Sequence, residues 1–219
     1  MTIKSKHYLG LASAFLLGFV STGGAVGSLG VLSLGTAAPP STLGGFSMTP
    51  IGADPSAVGS TVTSVGSISF NQAVNHDQIG NGWGTWSHGY TGNVYDTGDS
   101  VTPTSLTLTM GGLTSAVYFY TESVNFGNFT FTATAADGTT LTQTINGNGG
   151  AAGFGFYGAG GETITSITVT ETDTDGFAIG EFGLNGTPSV PEAGSSLVYA
   201  SLALLALFGC RVGFKQQAV

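Results

Sequence analysis

The chain has 219 residues, 37 of them glycine, with 7% charged residues, a formal net charge of -8 and an isoelectric point near 4.4. Lysine and arginine occur only at Lys4, Lys6, Arg211 and Lys215, so the acidic body has no cation to set against phosphates, and nucleic acid is excluded as a partner. The single cysteine, Cys210, excludes an intrachain disulfide and a cysteine-based zinc cluster, while 41% hydrophobic and 11% aromatic residues exclude a disordered chain.

Lys4 and Lys6 precede an apolar run, Leu9 to Val20, and then small residues from Ser21 to Gly27. That order is the layout of a secretory signal peptide over residues 1–27, with cleavage after Ala25 or Gly27. The run is too short for a bilayer span, which needs roughly 20 residues. An exported protein is expected.

From residue 28 to 188 short period-two runs alternate with Gly, Asn, Asp and Pro, and no helical pattern appears. Strands are predicted over Gly66–Phe70, Ser105–Met110, Ala116–Thr121, Phe129–Ala135, Thr140–Ile145, Ala152–Tyr157, Thr163–Glu171 and Phe177–Leu184. Asp137-Gly138 between two of them is a hairpin signal. Leu106, Leu108 and Met110 alternate with Thr107 and Thr109, and Phe129, Phe131 and Ala133 with Thr130, Thr132 and Thr134. One wet and one packed face per strand predicts an all-β domain, an antiparallel β-sandwich of jelly-roll type. The threonine faces read as an uncharged strand surface; the sharper alternative is a hydroxyl array for an ordered polysaccharide or ice surface.

The segment Gly80 to Asp99 (GNGWGTWSHGYTGNVYDTGD) gathers Trp83, Trp86, His88, Tyr90 and Tyr95 among glycines. Indole and phenol rings are flat apolar platforms with a polar edge, suited to stacking on sugar faces, and glycine allows close backbone approach. These five residues are the candidate glycan site; the alternative is that they plug one end of the core. Further on, Glu171, Asp173 and Asp175 alternate before Gly176, with Glu181 nearby. Alternate carboxylates in a strand share a face and suit a hard cation, so these four are the candidate calcium ligands, calcium being the only cofactor expected. The EF-hand template does not apply, since its twelfth position falls on Phe182.

Catalytic signals are thin. Ser87 and His88 are adjacent without a Gly-x-Ser-x-Gly elbow. Glu122, Glu162 and Glu181 are the available carboxylates for a glycosidase pair, with nothing to fix their spacing. With His7 in the signal peptide, only His76 and His88 remain. A non-catalytic protein is expected.

The C-terminal segment, 189–219, runs Val190-Pro191-Glu192-Ala193-Gly194-Ser195-Ser196, then the apolar stretch Leu197 to Cys210, then Arg211 and Lys215. This reads as a short transmembrane helix with a cytoplasmic basic tail. The motif, helix and tail in this order resemble the PEP-CTERM class of bacterial sorting signals, closest to its VPDSG variant, although Ala193 replaces the second proline of the type motif and no arginine cluster follows. The resemblance implies recognition of Val190, Pro191, Glu192, Ala193, Gly194 and Arg211 by a membrane-embedded exosortase that cuts near Pro191-Glu192. The body also resembles a group of exported PEP-CTERM proteins through GWGTWSHGYTGNVY, AVYFYTE, GGAAGFGFYG and GFAIGEFGLN, which implies an extracellular β domain and no particular substrate. The expectation is a non-catalytic protein of the cell surface or exopolysaccharide, with a carbohydrate-binding module as the alternative and a secreted hydrolase as the weakest reading.

Overall fold

A computed structural model describes residues 28–98 and 104–186. The predicted signal peptide, Asp99, the sorting residues Val190, Pro191, Glu192, Ala193, Gly194 and Arg211, and the predicted transmembrane helix lie outside the described residues. Among the described residues no helix is long and apolar enough to cross a membrane.

The described chain is all-β: β1 (Ser28–Gly35), β2 (Thr42–Leu43), β3 (Phe46–Ser47), β4 (Thr49–Pro50), β5 (Thr61–Val65), β6 (Ile68–Ile79), β7 (Gly82–Trp83), β8 (Asn93–Asp96), β9 (Thr104–Ser123), β10 (Asn128–Ala135), β11 (Thr140–Asn146), β12 (Ala152–Ala159), β13 (Ile164–Glu171) and β14 (Phe177–Gly186). Pairing is antiparallel except for the short β6–β7 contact. The main path runs β11-β10-β13-β9-β14-β8-β6-β5, and β12 joins β9 to β1.

β9 organises the fold, because its two halves have different neighbours. Its first half pairs with β13 and β6, and its second half with β12 and β14. The change falls at Gly111-Gly112, where Gly112 has φ +79 and a Cβ on Gly111 would stand 2.7 Å from the Ser67 carbonyl oxygen. Only glycine accommodates both the left-handed backbone and that approach.

Leu106, Leu108 and Met110 from the first half meet Val117 and Phe119 from the second in one core with Phe131, Phe154, Phe156, Ile167 and Val169. Phe119 and Phe154 stack with centroids 5.4 Å apart and planes 4° off parallel. The Asp137-Gly138 signal is realised as a β10–β11 hairpin: Gly138 has φ +89, Ala135 N–H donates to the Thr139 carbonyl, and the Thr139 N–H donates to Asp137 Oδ1 at 2.9 Å. The threonine faces are realised too, with Thr132 opposite Thr142 on one side and Thr170 on the other.

The second half of β9 departs from one-face burial. Val117 and Phe119 point into the main core, while Ala116, Tyr118 and Tyr120 form a second buried cluster on the other face with Leu43 and Ala151. Leu34, Phe46, Met48 and Trp86 pack onto this cluster. The strand is thus covered outside by chain from 34–48 and by the aromatic segment.

Candidate functional site

The outer face of β9 carries Tyr118, Tyr120 and Glu122, side chains that alternation places together. β14 runs beside it, and its register with β9 slips between Gly180 and Gly183. That slip puts Glu181 in the left-handed region, at φ 51. A side chain at Gly183 would stand 2.2 Å from the Tyr118 ring, so the glycine leaves room for the tyrosine.

The aromatic segment lies across this platform and is pinned by two carboxylates. Trp83 Nε1 donates to Glu122 Oε2 at 3.3 Å and Thr85 Oγ1 to Glu122 Oε1 at 2.6 Å. Trp86 Nε1 donates to Glu181 Oε2 at 3.0 Å, and His88 Nε2 lies 2.7 Å from Glu181 Oε1. The His88 ring meets Tyr120 edge-on at 5.1 Å, and Trp86 lies 6.0 Å from Tyr90. Burial raises the pKa of both glutamates, and the hydrogen bonds they accept offset part of the rise. Burial also pushes the Tyr90 and Tyr118 hydroxyls up to about 12.

Of the five candidate glycan residues, Trp83, Trp86, His88 and Tyr90 belong to this loop. Tyr95 does not: it lies on β8, is 2% exposed, stacks on His76 at 5.4 Å and donates to Asp54 Oδ2 at 3.0 Å. Its ring belongs to the core because β8 is inserted between β6 and β14 and turns this position inward.

A groove of ≈ 200 Å³ flanks the loop on the Trp83 side, lined by Trp83, Thr85, Ser123 and Phe126 with the backbones of Gly82 and Gly84. Phe126 is 69% exposed. Beyond Tyr90 a second hollow of ≈ 280 Å³ is lined by Tyr90, Asn93, Glu181, Gln78 and Phe182. Both are below the ~300 Å³ at which small-molecule pockets begin, and they suit a ligand lying along a surface.

Ser87 and His88 do come together, with Oγ 2.9 Å from Nδ1 and Glu181 on the far side of the ring. Nδ1 also lies 3.2 Å from the Thr36 carbonyl oxygen, which competes with the Ser87 hydroxyl for that ring nitrogen. Ser87 is moreover 5% exposed. Among the described residues His88, at φ 42, and Glu181 are the non-glycine residues with left-handed backbones, and each is held by the other's side chain. Glu122 and Glu181 are likewise occupied by loop donors, and Glu162 lines a different hollow beside Asp137.

The four candidate calcium ligands do not converge. Glu171, Asp173 and Asp175 sit at the β13–β14 corner, whereas Glu181 is engaged by Trp86 and His88. The β14 slip turns Glu181 to the outer face of β9, away from the first three. Among the described residues no three His, Cys, Asp or Glu side chains form a metal-holding group.

Several participants were missed in the sequence: Glu122 and Thr85 as anchors, Tyr118 and Tyr120 as the floor, and Phe126 as the groove wall. Only Phe126 had a local signal, an apolar ring in Asn125-Phe126-Gly127 where a turn is expected. No family model matches the chain, and neither does any curated protein.

Proposed function

We propose that the protein is exported and non-catalytic, with a jelly-roll-like β-sandwich body that associates with the cell surface or exopolysaccharide by binding carbohydrate along the Trp83–Phe126 groove. The observation that carries this reading is the half-buried Trp83, whose indole N–H is tied to the buried Glu122 while the residue lines a groove opposite the exposed Phe126. A ring fixed by its polar edge presents its face without losing rotamer entropy on binding, which favours sugar stacking. The two-sided burial of β9, with core on one face and covering loops on the other, supports the sandwich.

Sorting follows from the sequence alone: the exosortase-type enzyme would be the processing partner and the membrane a transient anchor. Mass spectrometry of the mature protein tests this, with an end near Pro191-Glu192 expected and an intact Val219 terminus opposing it. Tryptophan fluorescence titrated with soluble oligosaccharides tests the binding; saturable quenching lost in Trp83→Ala is expected, and quenching that persists unchanged would place the sugar elsewhere.

A further inference from the structure

We infer that Glu171, Asp173, Ser123 and Asn125 form a calcium site at the corner where β9 leaves for β10 and β13 leaves for β14, without Glu181. Asp173 is the firmly ionised member. Its Oδ1 accepts from the Thr174 N–H at 2.7 Å and the Asp175 N–H at 3.3 Å, and its Oδ2 from the Ser123 hydroxyl at 2.7 Å. These bonds outweigh burial and hold its pKa below the ordinary carboxylate value.

Glu171 is the unexplained member. It is 3% exposed on the core-facing side of β13, and neither carboxyl oxygen has a hydrogen-bond partner. It faces the Ser123 hydroxyl and the Asp173 charge, but a hydroxyl has one proton, and Ser123 gives it to Asp173. A buried carboxyl with no hydrogen-bond partner beside the Asp173 charge calls for a reason, such as an ion.

Asn125 bridges the neighbouring carboxylates of Asp173 and Asp175. Its Nδ2 lies 3.2 and 3.0 Å from the two Asp173 oxygens and 2.7 Å from Asp175 Oδ2, a neutral donor drawn against two carboxylates. Swung aside and turned over, the amide would present Oδ1 to an ion held beside Asp173, which would complete a set of oxygens from Glu171, Asp173, Ser123 and Asn125. The chain has no lysine or arginine between His7 and Cys210, so a cation must come from outside. Donors from two separate loops suit calcium, with its flexible shell of roughly six to eight oxygens, over magnesium with its near-octahedral demand. An extracellular module of this kind binds with a Kd of about 10⁻⁴ to 10⁻³ M.

The test uses the full-length chain in detergent, stripped with EDTA, and follows thermal unfolding and terbium luminescence as calcium or magnesium is added. At about 10 mM calcium the melting temperature is expected to rise by roughly 5–10 °C, with a smaller response to magnesium. Terbium emission excited through tryptophan is expected and is displaced by calcium. Glu171→Gln, nearly isosteric, is expected to abolish the calcium response. Asn125→Asp is expected to melt lower than wild type in EDTA and to recover with calcium, so it decides the matter if Glu171→Gln does not fold. A wild type indifferent to calcium and terbium, a Glu171→Gln variant that responds like wild type, or an Asn125→Asp variant that calcium does not rescue would each overturn the site.

Discussion

Replacing Glu171 with glutamine should flatten the dependence of stability on pH, and the sign and size follow from the site. The carboxyl sits at the end of the core, and burial pushes its pKa from 4.5 to about 8, with the nearby Asp173 charge adding to the rise. The folded state therefore holds a proton that the unfolded chain has released, and stability falls as pH rises from the unfolded value through about 8. At ~1.4 kcal/mol per pH unit of displacement, ionising this group in the fold costs on the order of 5 kcal/mol. That is a large part of the ~5–15 kcal/mol that stabilises a typical domain. Urea unfolding in EDTA at intervals between pH 5 and pH 8.5 reads this directly. Glu122 and Glu181 also have raised pKa values and act with the same sign, so the difference between wild type and Glu171→Gln isolates the one carboxyl. Wild type is expected to lose several kcal/mol across the range and the variant distinctly less. Parallel curves would show that Glu171 does not carry a retained proton. With calcium present the wild-type slope should shrink, because the ion favours the ionised carboxyl.

Phe119→Ala should cost ~3–5 kcal/mol in chemical denaturation, since it removes a fully buried ring stacked on Phe154. Gly158→Ala should be more disruptive than its size suggests, because the new Cβ would lie 1.9 Å from the Glu162 carbonyl oxygen and backbone cannot swing aside; a shift in thermal midpoint well beyond that of an exposed alanine substitution checks it. Glu181→Ala removes the acceptor of both Trp86 and His88, so the loop over β9 should loosen, seen as red-shifted tryptophan emission and faster proteolysis within residues 84–92. Thr130→Lys, Thr132→Lys and Thr134→Lys should each change stability by no more than about 0.5 kcal/mol and leave carbohydrate binding intact, which checks that the threonine face is plain surface.

The strands that alternate threonine with a large apolar residue were legible in the sequence because each has one wet face and one packed face, as in Phe131 and Ala133 between Thr130, Thr132 and Thr134. Ala116–Thr121 was legible as a strand but not in its role. Period two cannot reveal that both faces are buried when the covering residues, Leu43 and Trp86, come from distant loops. Ser105–Met110 and Ala116–Thr121 are separate strands by their alternation, whereas in the fold they are one β9, bent at Gly111-Gly112 from one set of neighbours to another. β1 was missed because Ser28–Gly35 is rich in serine and glycine and is only partly buried. β8 was hidden inside the aromatic segment, which is why Tyr95 was grouped with the loop when it belongs to the core.

The site divided along the same line. Residue type and clustering pointed to Trp83, Trp86, His88 and Tyr90, which lie on one segment that begins with the short β7. Their anchors could not be read, because Glu122 and Glu181 reach Trp83, Trp86 and His88 across sequence separations of 39 to 95 residues. The acidic alternation places Glu171, Asp173 and Asp175 at one corner, but the orphaned carboxyl and the bridging Asn125 are products of tertiary packing.

The most direct test of the carbohydrate reading is a glycan array and polysaccharide pull-down with the full-length chain, beside Trp83→Ala and Phe126→Ala. Phe126 is exposed, so its substitution should leave folding untouched. Binding to a defined set of polysaccharides that falls at least tenfold in both variants is the predicted result. Absence of any carbohydrate binding by a folded wild type, or binding indifferent to both substitutions, would contradict it.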